Sequence, residues 1–84
     1  SPYHYAQQLM KQTKGQAKPL LAALANYDQA VAAHAAALLQ SKTPGILLQD
    51  DFQQILTEAA EPARQGIQTY LRQWRESQQV RSGS

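Results

Sequence analysis

The stretch AVAAHAAALL, residues 30–39, places one ionisable ring, His34, among alanines and leucines. A phosphoacceptor histidine on a helix is exposed and usually followed by a lysine and a small residue, whereas three alanines follow His34. A metal site needs several converging ligands, and the other histidine, His4, lies 30 residues away. We therefore interpret His34 as a packing residue that fills the space left by the alanines. The alternative is a pH-sensitive contact at an interface, because histidine changes charge near neutral pH.

The carboxylates are the next candidates for chemistry. Asp50 and Asp51 are adjacent, so on a helix they point about 100° apart and cannot share a proton. Glu58 and Glu61 are three residues apart and are expected to be solvated. The segment KQTKG lacks the spacing of a phosphate-binding loop. We predict a protein that is not an enzyme and has no metal site, cofactor or small-molecule substrate.

Four side chains near the C-terminus fall within about one quadrant of a helical wheel, beside Trp74: Arg64, Gln68, Arg72 and Arg75. Arginine and glutamine contact phosphates and base edges, and a nearby aromatic ring can stack on an unpaired base. The isoelectric point of about 9.2 permits such binding, although Glu76 lies among the arginines. An accessory nucleic-acid-binding domain that uses this face is the alternative function.

Amphipathic aromatic residues indicate binding to a protein instead. Protein interfaces favour tyrosine and tryptophan, and the predicted contact residues are Tyr27, Tyr70 and Trp74, with Tyr3 and Tyr5 in the same class. The predicted long helices carry more apolar surface than one hairpin covers, and association into a larger bundle would bury it. We predict a protein–protein interaction or oligomerisation module, whose partner is another protein or a second copy.

Composition sets the limits of these predictions. The 84 residues form one domain at most, and the absence of cysteine excludes disulfides and zinc–thiolate sites. No apolar run is long enough to span a membrane. The net charge of +2 conceals three blocks, with +3 over residues 1–42, −4 over residues 43–61 and +3 over residues 62–84. Blocks of opposite sign suit antiparallel packing or self-association.

The ends of the sequence, SPYHY and RSGS, indicate a fragment of a larger protein. We interpret residues 1–84 as a single helical domain in which residues 80–84 form a disordered tail. The composition is typical of a bacterial protein, and it favours no particular compartment.

Glycine and proline divide the chain into helical segments. A first helix is predicted over residues 3–14, ending at Gly15. A second is predicted over residues 19–41, because apolar residues recur there at spacings of three and four, with His34 among them: Leu20, Leu24, Tyr27, Val31, His34 and Leu38. The segment SKTPG, residues 41–45, reads as a turn.

A third helix begins near Asp51, and its apolar spacing stays in phase past Pro62. That continuity favours a kink at Pro62 over a break into two helices. Gly66 lies on the apolar side and permits a close approach of another helix. The predicted fold is all-α, an antiparallel helical hairpin with a short N-terminal helix, forming a three-helix bundle whose last helix is kinked or broken at Pro62.

Overall fold

The structure is a computed structural model that describes the backbone of residues 1–83 and the side chains of residues 1–79. This part of the chain contains five α-helices: α1 (Pro2–Gln12), α2 (Ala17–Ala23), α3 (Gln29–Lys42), α4 (Asp50–Thr57) and α5 (Glu61–Gly83). Single 3₁₀ turns, Leu24–Asn26 and Ile46–Leu48, precede α3 and α4. The chain is 82% helical and the helices pack against one another, which confirms the all-α helical bundle. The tail expected at residues 80–84 falls outside the fully described residues and stays a prediction.

The end of α1 is fixed by backbone hydrogen bonds. The Gly15 amide donates to the Met10 carbonyl at 3.0 Å, and the Lys14 amide donates to the Lys11 carbonyl at 3.3 Å. Together these bonds form the Schellman motif, which satisfies carbonyls at a helix C-terminus. α1 therefore ends at Gln12, shortly before the end predicted at Gly15, and the Gly15 amide completes the motif. The motif places Lys14 at a φ of 57°, in the left-handed region that a residue with a Cβ atom disfavours.

Replacing Lys14 with glycine is expected to raise the free energy of unfolding by about 1 kcal/mol, because glycine adopts the left-handed conformation without steric cost. Urea unfolding followed by circular dichroism measures the change. Lys14→Ala is the control, since it removes the charge but keeps the Cβ atom, and it should leave the stability nearly unchanged. An equal gain from both variants would assign the effect to the lysine charge rather than to the backbone.

The predicted second helix over residues 19–41 is wrong, because the chain leaves the helical conformation at Tyr27 and starts again as α3. Tyr27 is extended, with φ −126° and ψ 167°. The Asp28 carboxylate then accepts a hydrogen bond from the Val31 amide at 3.1 Å. Aspartate is a strong N-cap residue because its side chain satisfies an amide that the first turn leaves free. The capping bond therefore starts a new helix at this point, although the spacing of apolar residues continues unchanged across the break.

The predicted kink at Pro62 is also wrong, and the break that was its alternative is found. Pro62 is the second residue of α5, where its missing N–H leaves no hydrogen bond unmade. If α4 continued through this point, the proline ring would clash with the carbonyl of Glu58, four residues earlier. The helix therefore ends at Thr57 and the chain turns over residues 58–60.

α1 and α3 lie side by side and point the same way. Near their starts, the ring of Tyr3 contacts the ring of His34. Beyond the end of α1, Gly15 lies against the side chain of Lys42, the last residue of α3. The C-terminal ends of the two helices are therefore at the same end of the bundle.

α5 lies along α3 in the same direction as well. Ala60, just before α5, lines a groove together with Ala25, just before α3. About one turn further along both helices, the Gln29 side-chain amide (Nε2) donates a hydrogen bond to the Gln65 side-chain oxygen (Oε1). The two long helices, α3 and α5, therefore run parallel rather than as the predicted antiparallel hairpin. The break before Pro62 allows this, because residues 43–60 return the chain to the start of α3 before α5 begins.

Gly66 sets how closely α3 and α5 approach. A Cβ atom on Gly66 would lie 2.7 Å from the Cβ atom of Ala32 and closer still to the carbonyl oxygen of Gln29. Carbon atoms pack at about 3.5–4.0 Å, so this crossing has room only for glycine. The close approach that the sequence predicts at Gly66 is confirmed.

The core lies between α3 and the helices around it, and α3 contributes five of its residues. Among residues 1–79 all of the buried side chains are apolar. The buried set is Ala6, Leu9, Leu20, Leu21, Leu24, Val31, Ala32, Ala35, Ala36, Leu39, Leu47, Phe52, Leu56, Ala63, Ile67 and Leu71. Its many alanines permit the close spacing that the parallel helices show.

Candidate functional site

The interpretation of His34 as a packing residue is wrong, because the structure exposes this side chain. α3 buries the side that carries Val31, Ala35 and Leu39, and His34 falls outside it. A spacing counted across the break before Asp28 does not describe one helix face. Alanine does not mark the buried side of α3 either, since Ala30 is exposed and Ala33 is half-buried while Ala35 is buried.

Two ring pairs join α1 to the chain around α3, Tyr3 with His34 and Tyr5 with the half-buried Tyr27. Tyr3 and Tyr5 are two residues apart on α1 and so lie on different sides of that helix. We call the two pairs together the aromatic surface. The ring centroids of Tyr3 and His34 are 5.6 Å apart with the planes at 77°, and those of Tyr5 and Tyr27 are 5.9 Å apart at 44°. Both distances are within the range of favourable aromatic pairs. Tyr3 and Tyr5 each remain 47% exposed, so the contacts orient the rings without covering them.

A shallow groove of about 400 Å³ opens beside the second pair of rings. Tyr5 and Tyr27 line it together with the buried side chain of Val31. Asp28 is the charged side chain of this groove, and one of its oxygens is engaged in capping α3. The groove therefore combines two aromatic rings and an apolar side chain with polar residues, which are Ser1, Asn26 and the Asp28 carboxylate.

The three aromatic residues predicted to contact a partner lie in two places. All three are half-buried against the core, but Tyr27 pairs with Tyr5 whereas Tyr70 and Trp74 lie on α5. Among residues 1–79, the recorded ring contacts join Tyr27 to Tyr5 and do not reach either aromatic residue of α5. α1 and α5 each pack mainly on α3 and hardly on each other, which separates the two sets.

The four residues predicted to bind nucleic acid differ in availability. The guanidinium of Arg64 pairs with the Glu61 carboxylate and donates to the Thr57 carbonyl at 3.3 Å. Hydrogen bonds from Gln65 and Arg64, together with the arginine charge, hold the pKa of Glu61 below its ordinary value of 4.5. Arg64 is thus engaged at the start of α5, while three others are exposed on the same helix: Gln68, Arg72 and Arg75.

Three further carboxylates are exposed on or next to α4: Asp50, Asp51 and Glu58. The Asp51 carboxylate accepts a hydrogen bond from the Phe52 amide at 2.9 Å. Within the described residues, no three histidine, cysteine or acidic side chains cluster in a way that could hold a metal ion. In the same part of the chain, no helix combines the length and the apolar character needed to cross a bilayer.

Comparison with known proteins gives no match to a family model, to a curated protein or to a solved structure.

Proposed function

We propose that this chain is a non-enzymatic helical module that binds another protein through the aromatic surface. The observation that supports the proposal is the exposure of Tyr3 and Tyr5, at 47% each, while their rings are held in contact with His34 and Tyr27. Tyrosine is enriched at the centres of interfaces because it offers a large apolar ring and one polar group. Rings that are already ordered lose less conformational entropy on binding.

The charge near the aromatic surface favours a protein over a nucleic acid. The charged side chain of the adjoining groove is Asp28, which repels phosphate. On α5, the pairing of Arg64 with Glu61 leaves Arg72 and Arg75 as the exposed arginines of the predicted nucleic-acid face. Glu76 follows them directly and is also exposed, so it weakens the local attraction for phosphate.

Site-specific photo-crosslinking followed by an affinity measurement tests the proposal. A photo-activatable phenylalanine analogue replaces Tyr5 in the protein within the cells that make it, and replaces the exposed Gln54 of α4 in the control. We expect position 5 to crosslink to one protein species. Calorimetry with that purified protein should then show that Tyr3→Ser with Tyr5→Ser weakens binding at least about 10-fold, the effect expected for contacts at the centre of an interface.

Leu48→Ser is the matched control for the affinity measurement. Leu48 is exposed to the same extent, at 48%, but it lies beyond the C-terminal end of α3, whereas the aromatic surface lies towards the N-terminal end. It should leave the affinity for the captured protein unchanged. Equal crosslinking at positions 5 and 54, or an affinity that the tyrosine variant does not alter, would contradict the proposal. So would salt-sensitive binding to DNA that is lost with Arg72→Glu and Arg75→Glu, which supports the nucleic-acid alternative.

A further inference from the structure

A groove bordered by lysines lies where α1 and α3 end. Its apolar part is formed by Met10 and Leu38, and Lys11 and Lys42 stand beside them. We call these four residues the lysine groove, which has a volume of about 290 Å³. The positive charges gather here because the two parallel helices end at the same place, and lysine is favoured at the negative end of a helix dipole.

A complementary feature lies just after α3, at the same end of the bundle. Leu48 is 48% exposed, although its neighbour Leu47 is buried and anchors the 3₁₀ turn in the core. Asp50 and Asp51 follow in the first turn of α4, and both are exposed. We call Leu48, Asp50 and Asp51 the leucine–aspartate corner.

The charges of these two features do not neutralise each other within one molecule. Among residues 1–79 the recorded ion pair is that of Arg64 with Glu61, so Lys11 and Lys42 form none with the two aspartates. The Lys42 ammonium instead lies 3.5 Å from the Lys14 carbonyl oxygen, at the end of α1. The positive groove and the negative corner are therefore both presented to solvent.

We infer that the occupant of the lysine groove is a second copy of this chain, whose Leu48 enters the groove while its Asp50 and Asp51 face Lys11 and Lys42. The chain itself supplies an exposed apolar side chain beside two negative charges, which matches an apolar groove beside two positive charges. Both features lie at one end of the bundle, so two copies related by a two-fold axis make the contact twice and form a closed dimer.

This inference goes beyond the proposed function, because it concerns association between two copies of the chain rather than binding of another protein at the aromatic surface. It uses a surface at the other end of α3 from the aromatic surface, so the two proposals can fail separately. A standard interface buries about 800 Å² per partner, a substantial part of the 5334 Å² exposed by one chain. A contact centred on one leucine and four charges is smaller, and we expect a weak dimer that salt dissociates.

Charge exchange between the two features tests the inference by sedimentation. One variant carries Lys11→Glu and Lys42→Glu, and the other carries Asp50→Lys and Asp51→Lys. Each variant alone should be a monomer, because like charges then face each other. An equimolar mixture should form a heterodimer, because every facing pair is again opposite in charge. The unaltered chain should dimerise at about 20 mM salt and at least about 10-fold more weakly at about 500 mM.

Leu48→Ser provides a second test that leaves all charges in place, and it should weaken dimerisation at least about 10-fold. Tyr3→Ser with Tyr5→Ser should not affect the dimer, which separates this inference from the binding at the aromatic surface. Circular dichroism verifies that each variant is folded. An unaltered chain that stays monomeric up to about 0.5 mM at low salt overturns the inference. A dimer that survives both Leu48→Ser and the charge changes overturns it as well.

Discussion

Replacing Gly66 with alanine is expected to lower the free energy of unfolding by about 2–3 kcal/mol, the upper part of the range for overpacked positions. The sign of this stability change distinguishes Gly66 from a glycine at an ordinary helix position. In an ordinary helix interior, Gly→Ala stabilises by about 1 kcal/mol, because alanine is the better helix former. Here the added methyl group would meet the Gln29 carbonyl oxygen and the Ala32 methyl group, so α3 and α5 must move apart. Urea unfolding monitored by circular dichroism gives the change.

Two further variants separate the clash from helix propensity. Ser77→Ala, at an exposed position of the same helix, should stabilise the protein by a few tenths of a kcal/mol, about what the propensity difference predicts. Adding Ala32→Gly to Gly66→Ala removes one of the two close contacts, so the loss for the pair should be smaller than the sum of the single losses. A stabilising Gly66→Ala would show that the two helices are not in close contact.

Local signals in the sequence predicted much of the helical organisation. α1 ends shortly before Gly15, residues 43–45 turn the chain after α3, and the close approach at Gly66 is found. These features depend on one residue type whose backbone freedom or size decides the structure, so they can be inferred without knowing the neighbouring helices. The all-α class follows in the same way from the helix-forming composition.

The spacing of apolar residues was a less reliable guide to helix length where a helix-capping or helix-breaking residue interrupts the helix. The spacing of apolar residues runs through Tyr27 and past Pro62 without a change of phase, yet the chain breaks at both places. A matching phase is required for a continuous helix but does not prove one, because two separate helices can also present compatible apolar sides. The Asp28 cap and the Pro62 ring are the local features that decide these cases.

The aromatic surface could be predicted only in part. Tyrosine at positions 3, 5 and 27 indicates an interface by residue type alone. The pairing of Tyr3 with His34 depends on α1 and α3 lying parallel, which is a property of the whole bundle rather than of either segment. The pair of Glu61 and Arg64, in contrast, follows from their spacing of three on one helix.

Replacing Phe52 with alanine is expected to have the largest effect on stability, a loss of about 3–5 kcal/mol. Phe52 is 1% exposed and is the largest of the fully buried side chains. α4 has eight residues, and an isolated helix of that length is not stable in water, so its packing against the core holds it in place. The total stability expected for a domain of this size is about 4–12 kcal/mol, so this one loss removes a large share of it.

Urea unfolding of Phe52→Ala measures this loss, and Phe52→Leu extends the series if the alanine variant unfolds in buffer. The leucine variant keeps most of the apolar volume and should lose only about 1–2 kcal/mol. Ile55→Ala on the same helix is the matched control, because Ile55 is half-buried at the edge of a groove and should cost clearly less than Phe52→Ala. Equal losses at positions 52 and 55 would mean that α4 is anchored along its whole length rather than by Phe52. A loss below about 1 kcal/mol for Phe52→Ala would place this ring outside the core.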